Sequence, residues 1–309
     1  MSHRRRKLAL SAVGVGLPGV DDPALPLPVS GFAHSALRWP DASALIGSTW
    51  SAARTAHSGM SDPGTRRVLN EDAFLADGRL GLFIVADGVG GRPFGGLAAG
   101  EAVSVLWEWI LRETKALGAP MRGPGQPSGN GSSVVQLGSV VRTALQNASR
   151  TLRTMATADP RYAGMCTTAS VVLVAGDVAV VGQVGDSRVY HARGAAVRQV
   201  TEDHTLLGLQ VKRGLVAPEQ ARGRRSPIIR ALGLADELEV DIHAVPVARG
   251  DRLLLCSDGL HEHFQREGVL QHLFQLDIRT AAPAAVHHAR RRGGRDNITA
   301  LFVEILGPG

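Results

Sequence analysis

Apolar and polar residues change their spacing several times along the chain, and each change marks an element. Residues 82–86 (LFIVA) are an unbroken apolar run that stops at Asp87, the pattern of a short strand buried on both faces. The segment LAAGEAVSVLWEWILRETKAL (97–117) repeats apolar residues every three or four positions, which predicts an amphipathic helix, and VVQLGSVVRTALQNASRTLRTMA (134–156) predicts a second. Between them, the Gly-, Pro- and Ser-rich stretch 118–133 reads as a flexible loop. The period then shortens. Residues 167–201 are rich in β-branched side chains and cut at Gly176-Asp177, Gly185-Asp186 and Arg193-Gly194, which predicts four strands in an antiparallel meander. Residues 204–232 read as short helices and loops, 238–247 and 251–259 as strands, 265–276 and 280–292 as helices, and 297–305 as a closing strand. Two helices followed by many strands, then helices and a strand, describe an α+β fold with antiparallel sheets rather than repeated βαβ units.

Residues 1–55 lack this periodicity. They are rich in Pro, Gly, Ala and Ser, and read as a basic N-terminal extension of low order, leaving 56–309 as one globular domain. The basic start of the chain is followed by an apolar stretch broken by glycines, without a small-residue cleavage site, so a disordered arm is expected rather than a secretory signal. The 309 residues carry 44% hydrophobic and 20% charged side chains, an ordinary globular composition, and no apolar run reaches the length of a membrane span. Cys166 and Cys256 are far apart and each lies beside an apolar run, as expected for two buried thiols in a reducing, cytoplasmic compartment. The pI near 10.1 raises the question of nucleic acid. Half of the net charge of +6 lies in residues 1–55, aromatic residues are only 4%, and no stacking platform or binding motif accompanies the basic clusters. No nucleic-acid partner is expected.

Carboxylates gather at the ends of the apolar runs. FIVADG ends on Asp87-Gly88, LLLCSDG on Asp258-Gly259, and GGRDN places Asp296-Asn297 just before the last strand. Asn70, Glu71 and Asp72 precede Phe74 in the same way. Acids converging at one sheet edge repel each other unless cations neutralise them, and an all-oxygen set without His or Cys favours a hard ion such as Mg2+ or Mn2+. A glycine after Asp87 would let a backbone carbonyl approach such an ion. A single Asp-Gly after a strand is ordinarily just a turn, and Asp77-Gly78 is read that way. Other chemistries fail on spacing. GVGGRPFGG carries Pro93 where a dinucleotide loop needs its third glycine, and no lysine follows it. There is no Gly-x-Ser-x-Gly elbow, and neither cysteine is followed six positions later by arginine.

Taken in order, the segments RVLNEDAF, VADGVGG, TTASVVLV, VGDSRVY, VTEDH, RALG, CSDGL and GGRDNIT resemble those of the metal-dependent Ser/Thr protein phosphatases of type 2C, in their compact bacterial branch. The resemblance spans about residues 58–305. It implies a β-sandwich of two antiparallel sheets flanked by pairs of helices. It also implies hydrolysis of phosphoserine and phosphothreonine at a binuclear Mn2+ or Mg2+ centre, with a metal-activated water and no covalent enzyme intermediate.

By the same resemblance Asp87 bridges two ions, the Gly88 carbonyl ligates one, and Asp258 and Asp296 ligate the other. Glu71 and Asp72 match the acids that position the attacking water, and Arg67 matches the arginine that binds substrate phosphate, for which a guanidinium fork is well shaped. Asp186 and Asn297 are candidates for support. The chain departs from the pattern at AGMCTT, where Ala163 stands in place of an acid that helps many relatives hold a third metal; a third ion would need Asp186 and other ligands. The flap region 204–232 is unusually basic, and Arg222, Arg224 and Arg225 are expected to dock an acidic or phosphorylated partner. The implied role is that of a monomeric cytoplasmic bacterial enzyme in signal transduction, opposing a Ser/Thr kinase and acting on its targets. The alternative is a catalytically weak or inactive regulatory module of the same fold. Its mark would be missing metal acids, and all are present.

Overall fold

The computed structural model describes residues 54–92, 94–118, 130–221, 224–264 and 268–307. The expected extension therefore lies outside the described residues except for Arg54 and Thr55, and so does most of the 118–133 loop. Among the described residues, ten strands form two five-stranded sheets, and every pairing is antiparallel. The first contains β2 (Asp72–Asp77), β3 (Leu82–Asp87), β4 (Ala169–Ala175), β5 (Val178–Val184) and β8 (Asp241–Pro246), in that order. The second runs β1 (Arg54–Asp62), β10 (Ile298–Gly307), β9 (Arg252–Cys256), β6 (Arg188–Arg193) and β7 (Ala196–Gln199).

Two-residue alternation decides the layers. In β3, Phe83 and Val85 face the second sheet, and Leu82, Ile84 and Ala86 face α1 (Gly95–Gly118) and α2 (Asn130–Ala158). In β10, Leu301, Val303 and Ile305 face the first sheet, whereas Ala300 and Phe302 pack on α6 (Val269–Gln275) and α7 (Ile278–Arg291). The result is helices, sheet, sheet, helices. Strands buried on both faces need apolar residues at every position, hence the continuous runs in the sequence. Phe83, Leu82, Ile84 and Phe302 are all fully covered, and each such side chain contributes about 1.5–3 kcal/mol. Both cysteines are buried and free.

The predicted meander is corrected at its middle. β4–β5 and β6–β7 are hairpins at the expected turns, but at Gly185-Asp186 the chain leaves the first sheet for the second. Gly185 has φ +101°, and a Cβ there would lie 2.5 Å from Thr168, so only glycine permits this crossing. Two further adjustments concern the ends of elements. The strand expected over 251–259 stops at Cys256, and Asp258 instead opens a helical turn, α5 (Asp258–His261). Strands β1, which carries no apolar run, and β2, whose run is only four residues, were not separated by the sequence pattern. β1 pairs with β10 along its whole length from Arg54, so the second sheet begins two residues before the expected domain boundary. The remaining short helices, α3 (Leu206–Lys212) and α4 (Pro218–Ala221), occupy the flap as expected.

Candidate metal centre

The site lies at the seam of the two sheets. The β2–β3 register sets Asp72 opposite Asp87. From the other sheet, Ser257 N donates to the Thr299 carbonyl, which brings Asp258 alongside the segment that enters β10, where Asp296 sits. Asp72 ties the sheets together: its Oδ2 accepts from Ser257 Oγ at 2.8 Å and Thr299 Oγ1 at 2.6 Å. Asp72 lies behind the cleft wall, while Arg67, Glu71, Asp87, Asp186, Asp258 and Asp296 line an open cleft of about 1420 Å3.

The electrostatics follow from the crowding. Burial first, then the charges of Asp72, Asp258, Asp186 and Asp296, hold the Asp87 carboxyl well above its usual range. Burial and the charges of Asp186, Asp296 and Asp72 push Asp258 up to about 8. Asp72 rises to about 6 by burial, against the hydrogen bonds from Thr299 and Ser257 that favour its ionised form. Asp186 rises to about 6, again by burial and then by Asp203. Among the described residues, no three His, Cys, Asp or Glu side chains close into a ligand cluster. Asp296 is turned onto Arg67, with Nη2 3.0 Å from Oδ2 and Nε 3.0 Å from Oδ1. Even so, the donor set fits divalent cations. Asp72 Oδ1 is buried and receives no N–H or hydroxyl hydrogen bond; its neighbour is the Asp87 carboxyl, and two buried acids facing each other must share a proton or a cation.

The backbone of Asp87 is fixed by residues that sequence reasoning did not single out. Thr168 Oγ1 accepts from Asp87 N at 3.0 Å, and the Asp87 carbonyl accepts from Thr168 N and Thr167 Oγ1, each at 2.8 Å. Their signal was the polar Thr-Thr pair opening an otherwise apolar strand. Gly88 N donates to the Glu71 carbonyl at 3.1 Å, and a Cβ on Gly88 would lie 2.4 Å from the Gly95 carbonyl carbon. The glycine therefore first serves the packing of the strand tip against the start of α1. Asn297 holds the loop bearing Arg67 and Glu71: its Oδ1 accepts from Glu71 N at 2.9 Å, and its Nδ2 donates to the carbonyls of Leu69 at 2.9 Å and Pro63 at 3.2 Å.

The outlying candidates are placed as follows. His261 Nε2 donates to the Asp186 carbonyl at 2.9 Å, which positions that acid at the cleft. Ala163 is exposed at the end of the 3-10 turn Pro160–Tyr162 and brings no carboxylate. Arg224 lines the cleft, Arg225 reaches Glu262 and Asp296, and Arg222 lies outside the described residues. Asp77-Gly78 is a turn, as expected, with Asp77 Oδ1 accepting from the amides of Arg79 and Leu80.

A family profile described as Protein phosphatase 2C matches residues 65–290. The chain belongs to the protein phosphatase 2C family. Within this family it is 32% identical over 251 residues to the serine/threonine phosphatase stp of Listeria monocytogenes, covering 79% of this chain and 93% of that one. The catalytic domain of the serine/threonine protein phosphatase PstP, solved in complex with 2 manganese ions, is similar at a TM-score of 0.66 and 28% identity, over 82% of this chain and 98% of that chain. PppA, a regulatory component of T6SS in Pseudomonas aeruginosa, also gives a TM-score of 0.66, at 28% identity over 82% and 99%. This protein phosphatase 2C member is thus an enzyme, a serine/threonine phosphatase that uses a divalent metal. No described helix is long and apolar enough to cross a membrane.

Proposed function

We propose that the chain hydrolyses phosphoserine and phosphothreonine in proteins, opposing a Ser/Thr kinase, with two Mn2+ or Mg2+ ions held by Asp87, the Gly88 carbonyl, Asp258 and Asp296. The observation that supports this reading is the buried set of acids at the sheet seam, Asp72, Asp87 and Asp258, whose carboxyls are raised by burial and by one another's charge. When bound, the ions supply an acidified water and screen the charge of the phosphoryl group. The remaining work falls to the chain. Arg67 binds the phosphoryl oxygens through the fork that Asp296 now occupies. Glu71, which lines the cleft, orients the attacking water; Asp72, behind the cleft wall and fixed by Ser257 and Thr299, acts on it through Asp87. The flap arginines dock the phosphorylated substrate. Two ions are favoured over three because Ala163 offers no ligand.

The test is hydrolysis of a phosphothreonine peptide with and without Mn2+, beside Asp258→Asn. Mn2+-dependent turnover that collapses in the variant is expected. Equal turnover in Asp258→Asn, or none in folded wild-type protein loaded with Mn2+, would reject the binuclear reading.

A further inference from the structure

Asp296 faces two guanidinium groups. Arg67, from the loop before β2, makes the two-pronged pair described above. Arg225 comes from the flap segment that follows α4, and its Nη2 lies 3.6 Å from the same Oδ2. The same nitrogen makes a 3.0 Å bond to Glu262 Oε2. Arg225 is 62% exposed, so its guanidinium is held at the mouth of the cleft and is open to an incoming ligand.

A carboxylate with one charge and two oxygens is a poor match for two guanidinium groups. A phosphoryl group, with more charge and three acceptor oxygens, is a better one. Asp296 is also one of the acids whose charge raises Asp87 and Asp258, so a cation among these acids draws on the carboxylate that both arginines now share. Metal binding would release the two guanidinium groups together.

We propose that Arg225 is a second phosphoryl-binding residue, acting on the same group as Arg67, and that Glu262 holds it in reserve at the cleft mouth. This deepens the docking role proposed above and rests on that reading of the site. It also assigns a regulatory partnership. Arg225 favours phosphate and disfavours cations at Asp296, so its loss should move the two affinities in opposite directions. A residue that merely held the flap in place would lower both.

The experiment uses the full chain and two probes, inorganic phosphate and Mn2+. The inhibition constant for phosphate and KM for a phosphothreonine peptide are measured with Mn2+ present. Mn2+ affinity is measured separately by calorimetry without phosphate. Arg225→Ala should raise both the inhibition constant and KM about tenfold, the scale of one lost charge-assisted hydrogen bond, and should tighten Mn2+ binding. Arg225→Lys should recover part of the phosphate affinity. Glu262→Gln, which frees the guanidinium, should lower the inhibition constant. A phosphate constant within twofold of wild type in Arg225→Ala would overturn the proposal. So would weaker Mn2+ binding accompanied by a lower Tm, which would make Arg225 a flap support. If wild-type protein fails to hydrolyse the peptide, the phosphatase reading of the site is what fails; phosphate calorimetry on Mn2+-loaded wild type and Arg225→Ala still decides the arginine's role.

Discussion

Gly88→Ala isolates the reason for the glycine after the strand-tip acid. A Cβ at this position would lie 2.4 Å from the Gly95 carbonyl carbon, 2.5 Å from its oxygen and 2.7 Å from its Cα. All three are backbone atoms at the start of α1, so no side-chain rotation relieves the clash. Inserting a methyl into a packed site costs about 1–3 kcal/mol, and a backbone contact sets the upper end. At about 2–4 °C per kcal/mol for a domain of this size, Tm should fall by roughly 6–12 °C. The same shift disturbs the Gly88 N to Glu71 carbonyl bond and the tip that carries Asp87, so Mn2+ affinity should weaken by about 10–100-fold, the usual effect of disturbing a ligand's support. The control is Gly91→Ala, where φ is +78° but nothing lies within 4 Å; its cost is only the left-handed backbone, about 1–2 kcal/mol. Melting by circular dichroism in chelator, and Mn2+ calorimetry, read the two effects separately. If Gly88→Ala melts no lower than Gly91→Ala and binds Mn2+ as wild type does, close packing against α1 is not what requires the glycine.

The metal-free protein should lose stability as pH rises from 6.5 to 8. In that window Asp258 keeps its proton when folded, to about 8, whereas the unfolded chain has already released it near 3.8; one retained proton is worth about 2 kcal/mol over 1.5 pH units. Melts in chelator should show this slope, melts in Mn2+ should not, and a flat chelator profile would contradict the crowding of the acids. Below 6.5 the sign reverses for the histidines. Burial holds His261 at about 3 and lowers His204, so the unfolded chain takes up protons there that the folded one refuses; this histidine contribution falls as pH drops and opposes the acids, since burial also keeps Asp87, Asp258, Asp72 and Asp186 protonated in the fold. Asn297→Ala removes three hydrogen bonds to the 63–71 loop, at about 1 kcal/mol each, and should lower Tm by several degrees and open the Arg66-Arg67 segment to trypsin; unchanged cleavage would place the loop's order elsewhere.

Strands buried on both faces were the most legible part of the sequence, because β3, β4, β5, β9 and β10 must be apolar at nearly every position. Two of the edge strands, β1 and β2, were hidden for the complementary reason. β1 reads RTAHSGMSD with only Asp62 buried and has no hydrophobic run, and β2 reads DAFLAD, whose four apolar residues between two acids include only Leu75 as a buried one. The sheet crossing was also hidden. Gly176-Asp177 and Gly185-Asp186 are the same two letters, and what separates them is tertiary: Gly185 fits against Thr168, whose hydroxyl meets Ser187 Oγ at 2.7 Å. Acids at strand ends could be seen in the sequence, but their convergence could not, because it depends on which strands become neighbours. Ordered resemblance to the family supplied that expectation. Arg225 stood out only as one of several basic residues, since its relation to Asp296 is made by the fold of the flap.

The acids come from both sheets, and this decides what metal can and cannot do for the protein. Asp72 and Asp87 belong to the β2–β3 pair, while Asp258 and Asp296 flank β9 and β10. Without cations the seam is already joined by neutral groups: Ser257 and Thr299 reach across to Asp72, and Phe83, Val85, Leu253, Leu255, Leu301 and Val303 fill the space between the sheets. The inter-sheet layer is apolar throughout and holds the sheets together without drawing on the acids. Cation binding then adds stability through mass action, as any ligand of the native state does, on top of relieving repulsion that the fold tolerates. The cost of that tolerance is a set of raised carboxyl pKa values at one edge of an otherwise apolar sandwich. An amide at Asp258 should relieve that repulsion, so the metal-free Asp258→Asn protein should melt higher than wild type in chelator at pH 8, and a lower Tm would show that the raised carboxyl is not a burden on the fold.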